Sequence, residues 1–262
     1  MGKDQRVLFN RTIFGPIHSR RLGVSLGINL SPNDGKVCSF DCVYCEAGYN
    51  SQGKGTTGFP SRDKVSFLLQ EKLEQMKEKG ENLDVITFSG NGEPTLHPEF
   101  PDILEGVLSL RDEYYPEAKV SVLTNSTKIF SPAVAEALKK ADNNILKLDS
   151  AVEDTMRLVD CPSSPSFTVE KVIDGLKQFK GTGIIQTMIL RGEHDGKIID
   201  NTTPGEIEAL IKAYKEIGPK EIMIYSLDRS TPEEKLVKVE KEELEKIGLQ
   251  IEAETGIKVN IN

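Results

Sequence analysis

KVCSFDCVYC, residues 36–45, gathers three of the chain's four cysteines, Cys38, Cys42 and Cys45, within eight residues. Thiolates are soft ligands. Three of them closely spaced with no fourth nearby suit a soft metal with an open coordination position. A structural zinc site is closed by four Cys or His ligands, commonly as paired C-x2-C elements. Closing one here would require Cys161 or His18 to approach. Three thiolates on an iron–sulfur cubane would leave one iron free for an exogenous ligand, an asymmetry with chemical use.

Outward from this loop, short apolar runs alternate with longer amphipathic ones. GVSLGINL (23–30) reads as a strand leading into the loop, and residues 62–79 as a helix with Val65, Leu68, Leu69, Leu73 and Met76 on one face. Strands are then expected at 84–88, 119–124, 144–149, 184–190 and 221–227, and a last short one at 258–261. Helices are expected at 98–112, from 132, at 168–179, at 204–217 and at 232–248. Ser131 before Pro132 reads as an N-cap and first helical position. Thr203 with Glu206, and Thr231 with Glu234, read as capping boxes, and Gly218 as a helix stop. The charged segment 232–247 is expected to be a solvated outer helix with i,i+4 pairs.

Six strand–helix units imply parallel strands with helical crossovers. Nearly continuous apolar strands fit a sheet covered on both faces. An open doubly wound sheet and a partial barrel both satisfy the pattern, and in either one ligands gather at the carboxyl ends of the strands. No Pro/Gly/Ser-rich linker divides the chain, so residues 1–262 are expected to form one domain, with a core at about 23–228 and a C-terminal helix and strand in 229–262.

The chain has 262 residues, 37% hydrophobic and 28% charged, as a globular protein requires. Its net charge of −8 argues against an indiscriminate binder of phosphate backbone. No stretch approaches the roughly 20 apolar residues of a membrane span, and the N-terminal MGKDQRVLFNR lacks the apolar segment of a signal peptide. Four cysteines are too few for a secreted disulfide scaffold, so a reducing cytoplasm is the expected compartment.

C-x3-C-x-aromatic-C, with Tyr44 in the aromatic slot, resembles the signature of the radical S-adenosylmethionine (SAM) superfamily. The resemblance implies a partial (β/α)6 TIM-like barrel with a short N-terminal extension, and a [4Fe–4S] cluster on Cys38, Cys42 and Cys45. It further implies that the unique iron chelates SAM and that the reduced cluster cleaves SAM to a 5′-deoxyadenosyl radical. The electron would come from a donor such as flavodoxin or ferredoxin. After the second strand, Ser89-Gly90-Asn91-Gly92-Glu93-Pro94 resembles the superfamily's GGE motif, which holds the methionyl amino group. Glycines there allow close backbone approach, and Glu93 offers an acceptor to an ammonium. Asn91 stands where Gly is commoner. By the same resemblance Thr124 and Asn125 approach the ribose, Lys147 or Asp149 the charged groups, and Leu227 the adenine. Lys147 lies in the apolar run NILKLD, where a charge needs a partner or a ligand.

Gly15-Pro16, Ser19-Arg20-Arg21-Leu22-Gly23 and Ser25-Leu26-Gly27, with CVYCE and GNGEPTLHP, resemble the group related to wyosine synthases. That group includes enzymes acting on a modified guanosine in transfer RNA. The acidic charge and the lack of a second cysteine triplet disfavour RNA here. The expected substrate is a small molecule, peptide or protein. A glycyl-radical-enzyme activase is an alternative, although such enzymes usually carry D-x-K where this chain has Lys147-Leu148-Asp149. A zinc-stabilised binding module is the non-enzymatic one. Arg20 and Arg21 are candidates to face an anionic group, and Arg191 and His194 lie in an expected polar loop that could cover substrate. Gln186 and Thr187 interrupt an apolar run. Cys161, in DCPSSPS, is a candidate hydrogen donor or metal ligand, although a lone cysteine is more often just a small residue. His97 and His18 read as hydrogen-bonded structural histidines.

Overall fold

β-Branched apolar runs bounded by turn residues fold into strands, and the amphipathic segments between them into covering helices. The computed structural model describes residues 6–19, 23–228 and 231–261. The chain begins with β1 (Ile13–Ser19), β2 (Gly23–Ile28), α1 (Arg62–Glu78), β3 (Val85–Phe88), α2 (Phe100–Tyr114), β4 (Lys119–Thr124) and α3 (Pro132–Lys140). There follow β5 (Asn143–Lys147), α4 (Glu153–Asp160), α5 (Val169–Leu176), β6 (Ile184–Met188), β7 (Leu190–His194) and β8 (Lys197–Asp200). Last come α6 (Pro204–Ile217), β9 (Glu221–Tyr225), β10 (Val237–Lys238), α7 (Lys241–Thr255) and β11 (Val259–Ile261).

The main sheet has the order β1-β2-β3-β4-β5-β6-β9-β11. Every pair is parallel except β1 with β2. Spatial order follows chain order without the reversal that marks a doubly wound sheet. This is therefore an open, partial (β/α)6 barrel, its two edge strands unjoined. Outward-facing Leu26, Ile86, Val120, Leu146, Ile185 and Ile222 pack against Leu73, Leu104, Leu138, Leu176 and Leu210 of the helices, all of them buried. On the concave side, Ile145, Ile184 and Met223 form a separate apolar floor with Leu123 against it. No helix among the described residues is long and apolar enough to cross a membrane.

Several elements differ from expectation for identifiable reasons. The helix expected at 232–248 begins only at Lys241 and runs to Thr255. Before it, Val237 and Lys238 pair with Arg191 and Leu190, and Thr231 Oγ1 donates to the Glu233 carbonyl instead of capping a helix. The expected polar loop after β6 is a hairpin. Asp195 and Gly196 adopt φ values of 50° and 73°, the left-handed pair that Asp-Gly favours in a two-residue hairpin turn. β1 went unanticipated because Gly15-Pro16 interrupts it. Its register shifts there, at an edge where proline is tolerated.

Pro132 opens α3, but Ser131 makes no side-chain cap. Gly218 ends α6 at φ 61°, and Thr203 caps its start by accepting from Glu206 N. The Glu206 carboxylate leaves the capping box to accept from Ser150 Oγ and Thr155 Oγ1, tying α6 to the segment after β5. Thr203→Ala is expected to lower stability by about 1 kcal/mol in urea unfolding.

Candidate active site

The cysteine loop leaves the carboxyl end of β2 and is held from several sides. Asn50 accepts from Cys38 N and donates to the Cys38 and Phe40 carbonyls. Val43 N donates to the Val159 carbonyl at 3.0 Å and Asp41 N to that of Asp160 at 3.1 Å, fixing the loop on the end of α4. Lys36 is 1% exposed and donates to the Gly48 carbonyl at 2.6 Å and to Asp41 at 3.3 Å. Burial opposes its charge, but the three cysteines and Asp41 outweigh that and hold its pKa above the usual value. A buried cation facing three thiols is an electrostatic setting for an anionic centre.

All four cysteines are free. Cys38 Sγ receives Phe40 N and Asn125 Nδ2, each at 3.5 Å. Cys42 Sγ donates to Asp160 Oδ1 at 3.5 Å. Burial pushes the Cys38 thiol up to about 12 and Cys42 well above its usual range. Loading a metal therefore means driving protons off these sulfurs. Among the described residues no three His, Cys, Asp or Glu side chains converge on a point that would hold a single ion. In a cubane each thiolate bonds a different iron, and the sulfurs need not meet on one atom. The donor set, the loop geometry and the buried Lys36 fit such a cluster.

The Ser89–Glu93 turn is clamped to this loop. Val37 N donates to the Asn91 carbonyl at 3.0 Å, and Glu93 N to the Val37 carbonyl at 3.1 Å. Gly92 has φ 149°, and a Cβ there would lie 1.9 Å from the Val37 carbonyl oxygen. A Cβ on Gly90 would lie 2.3 Å from Asn29 Oδ1. The glycines thus allow close approach of one loop to another. Asn91, fully buried, accepts from Phe9 N and donates to the Phe9 and Pro32 carbonyls. Its amide pins the N-terminal segment to both loops. Asn91→Gly is expected to cost about 2–3 kcal/mol in chemical unfolding, because these buried backbone groups lose their partner.

Glu93 is 3% exposed and both its oxygens are engaged. Oε1 accepts from Thr95 N, Thr95 Oγ1 and Thr124 Oγ1, and Oε2 from Asn125 N. Burial raises its pKa, with these donors opposing the rise. The carboxylate bolts the turn after β3 to the end of β4. Asn125 Nδ2 in turn reaches Ser39 Oγ at 2.9 Å.

Lys147 finds its partners inside the protein. It donates to Asp149 Oδ2 at 2.9 Å and to the Tyr44 hydroxyl, and lies 4.7 Å from the Tyr44 ring centre. Tyr44 also donates to Asp149, whose other oxygen accepts from Met188 N at 2.8 Å. Asp160 Oδ1 lies 4.0 Å from the same ammonium. Burial and then the Asp149 charge push the Asp160 pKa well up.

A cavity of about 460 Å³ opens on the concave side of the sheet. Tyr44, Cys45, Gly90 and Leu227 line it, with Gln186 and Met188 from β6. The remaining sequence candidates for the cofactor site are not among its lining residues. Cys161 does not line it. Its sulfur lies 3.4 Å from the Leu158 carbonyl oxygen and 3.9 Å from His194 Nε2. Arg191 is taken up by Glu243, Asp200 and Thr202. His97 is structural as expected, with Nε2 against the Pro60 carbonyl and Nδ1 accepting from Glu99 N. His18 lines the cavity. Arg20 and Arg21 lie outside the described residues. Lys36, Asn50 and Asp160 were not singled out, since nothing local in the sequence signals a lysine buried by its own loop.

The radical SAM superfamily matches residues 33–201 of the chain. The chain belongs to the radical SAM superfamily, whose enzymes use a [4Fe–4S] cluster and SAM. It is 32% identical to a UPF0026 protein of Methanocaldococcus jannaschii, over 88% of this chain and 68% of that protein. It is 30% identical to a Brachyspira hyodysenteriae protein named GTPase Obg, over 99% of this chain but only 36% of that protein's length. In fold it is similar to a radical SAM methyltransferase from Sphaerobacter thermophilus (TM-score 0.66, 14% identity, 91% of this chain and 65% of that one). It is also similar to TYW1 with a lysine-pyruvate adduct bound (TM-score 0.61, 14% identity, 89% and 74%).

Proposed function

We propose that Cys38, Cys42 and Cys45 hold a [4Fe–4S] cluster at the mouth of the partial barrel, and that the enzyme cleaves SAM reductively. The resulting 5′-deoxyadenosyl radical would abstract hydrogen from a small-molecule, peptide or protein substrate. One observation carries this reading. The cysteine loop and the Gly90–Glu93 turn are clamped together at the carboxyl ends of neighbouring strands, and Tyr44, Cys45 and Gly90 face a single cavity.

When bound, the reduced cluster supplies the electron that breaks SAM, while the protein binds, orients and shields the reactants. Glu93 acts by holding the turn and the end of β4 in place, since its oxygens are filled by Thr95, Thr124 and Asn125. Asn125 offers a hydrogen bond to the sulfur of Cys38. Lys147 and Asp149 orient Tyr44 beside the cluster loop. Leu227 supplies an apolar wall for adenine. The whole chain acts as one catalytic unit in the cytoplasm, reduced by a one-electron donor such as flavodoxin or ferredoxin. The net charge of −8 ranks RNA below metabolites and peptides as substrate. Anaerobically prepared protein given a strong reductant and SAM should release 5′-deoxyadenosine. Intact SAM after prolonged incubation would sink the proposal.

A further inference from the structure

Alternation along β6 sends Ile185 and Thr187 outward, where Thr187 Oγ1 meets the Tyr214 hydroxyl at 2.6 Å, and turns Ile184, Gln186 and Met188 to the concave side. Gln186 is 9% exposed and lines the cavity. Its side-chain amide has no hydrogen-bond partner among the described residues. Strand register sets it beside Lys147 on one side and Met223 on the other. Neither is a partner: the Lys147 ammonium is bonded to Asp149 and Tyr44, and Met223 belongs to the apolar floor. Ser25 and Thr87, on strands remote from β6 in the sheet order, line the same cavity. Their mutual bond of 3.0 Å uses one of the two hydroxyl hydrogens. The cavity therefore has an apolar floor within a mixed lining that includes Ser25, Thr87, Glu46 and Asp228, and Gln186 presents to it a carboxamide that no described protein group bonds.

A carboxylate would satisfy only the NH2 of Gln186 and set its negative charge against Oε1. An ammonium would satisfy only Oε1. A neutral amide, with C=O and N–H side by side, satisfies both ends at once, and a polar group that a bound ligand strips of water and leaves unpaired is costly. We propose that Gln186 is the specificity-determining residue of the site and recognises an uncharged amide in the substrate. The substrate's apolar body then packs against Leu123, Ile145, Met188 and Met223. This rests on the reading that the cavity receives substrate beside SAM.

A matched set of probes tests it: 4-methylpentanamide, 4-methylpentanoate and 4-methylpentylamine, which share a body and differ only in the head group. Each is titrated calorimetrically into the cluster-loaded, SAM-bound protein. The amide should bind roughly tenfold more tightly than either charged analogue. The preference should vanish in Gln186→Met, and SAM affinity should stay within about twofold of wild type. In a second variant, Gln186→Glu, the preference should move to the amine. No amide binding, equal binding of all three probes, or a preference that survives in Gln186→Met would overturn the proposal. So would a Gln186→Met variant whose main loss is in SAM affinity, since that would place Gln186 on the cofactor. A wild-type protein that prefers the amide but never yields 5′-deoxyadenosine would overturn the enzymatic reading and leave the head-group preference standing.

Discussion

Cys42→Ala is expected to yield a folded protein with fewer than about one iron per chain, against about four in the wild type, and no detectable SAM cleavage. The side chain is 8% exposed and packs in the main core, so its removal costs only about 1 kcal/mol of packing. Burial already opposes ionisation of this thiol, and the variant discards that burden along with the ligand. The far-ultraviolet spectrum should therefore match wild type while the broad visible absorption of the cluster disappears. Cys161→Ala is the control. Its sulfur sits against the Leu158 carbonyl oxygen and His194 and does not line the cavity. It should retain the full iron content. Equal iron in both variants would contradict the assignment of the three ligands.

Glu93→Ala carries the second large effect, a loss of about 3 kcal/mol or more of folding stability. Four donors converge on the two carboxylate oxygens from the turn after β3 and the end of β4, and alanine leaves all four without a partner. The penalty for stranded buried donors is about 1–3 kcal/mol each before relaxation or water entry. Glu93→Gln keeps one acceptor oxygen and should lose about half as much. Urea unfolding measures both, and SAM affinity measured alongside separates two roles. A positioning role predicts that affinity and stability fall together across the two variants. A large loss of SAM affinity at unchanged stability would instead make Glu93 a direct ligand.

The strands and the cysteine loop were legible in the sequence because each rests on a local signal. Parallel strands such as VITF and IIQTM are continuous apolar runs, and thiol spacing within one loop needs no knowledge of the fold. The choice between a doubly wound sheet and a partial barrel was not legible from periodicity, because both give the same alternation. Only resemblance to a family, and then the unbroken strand order, separates them. At the site, the sequence marked the residue types but not the direction of their contacts. Glycines 90 and 92 read as room for a ligand; a Cβ on either would meet Asn29 or Val37, and Gly90 also lines the cavity. Glu93 read as an acceptor open to an ammonium and is filled by neighbours up to 32 residues away. Lys36 could not be found at all, since its burial depends on Gly48 and Asp41 folding back over it. The misplaced helix start at 232 has the same origin. Capping residues and i,i+4 charges are local, but pairing of Val237 with Arg191 spans 46 positions and prevails.

The central claim is that three thiolates hold a cluster whose remaining coordination position takes SAM. Electron paramagnetic resonance of the anaerobically reduced, iron-loaded protein, recorded before and after adding SAM, tests it most directly. A cluster signal whose shape changes on SAM addition is the predicted result. A signal indifferent to SAM, or a protein with one tightly bound zinc and no cluster signal, would contradict it.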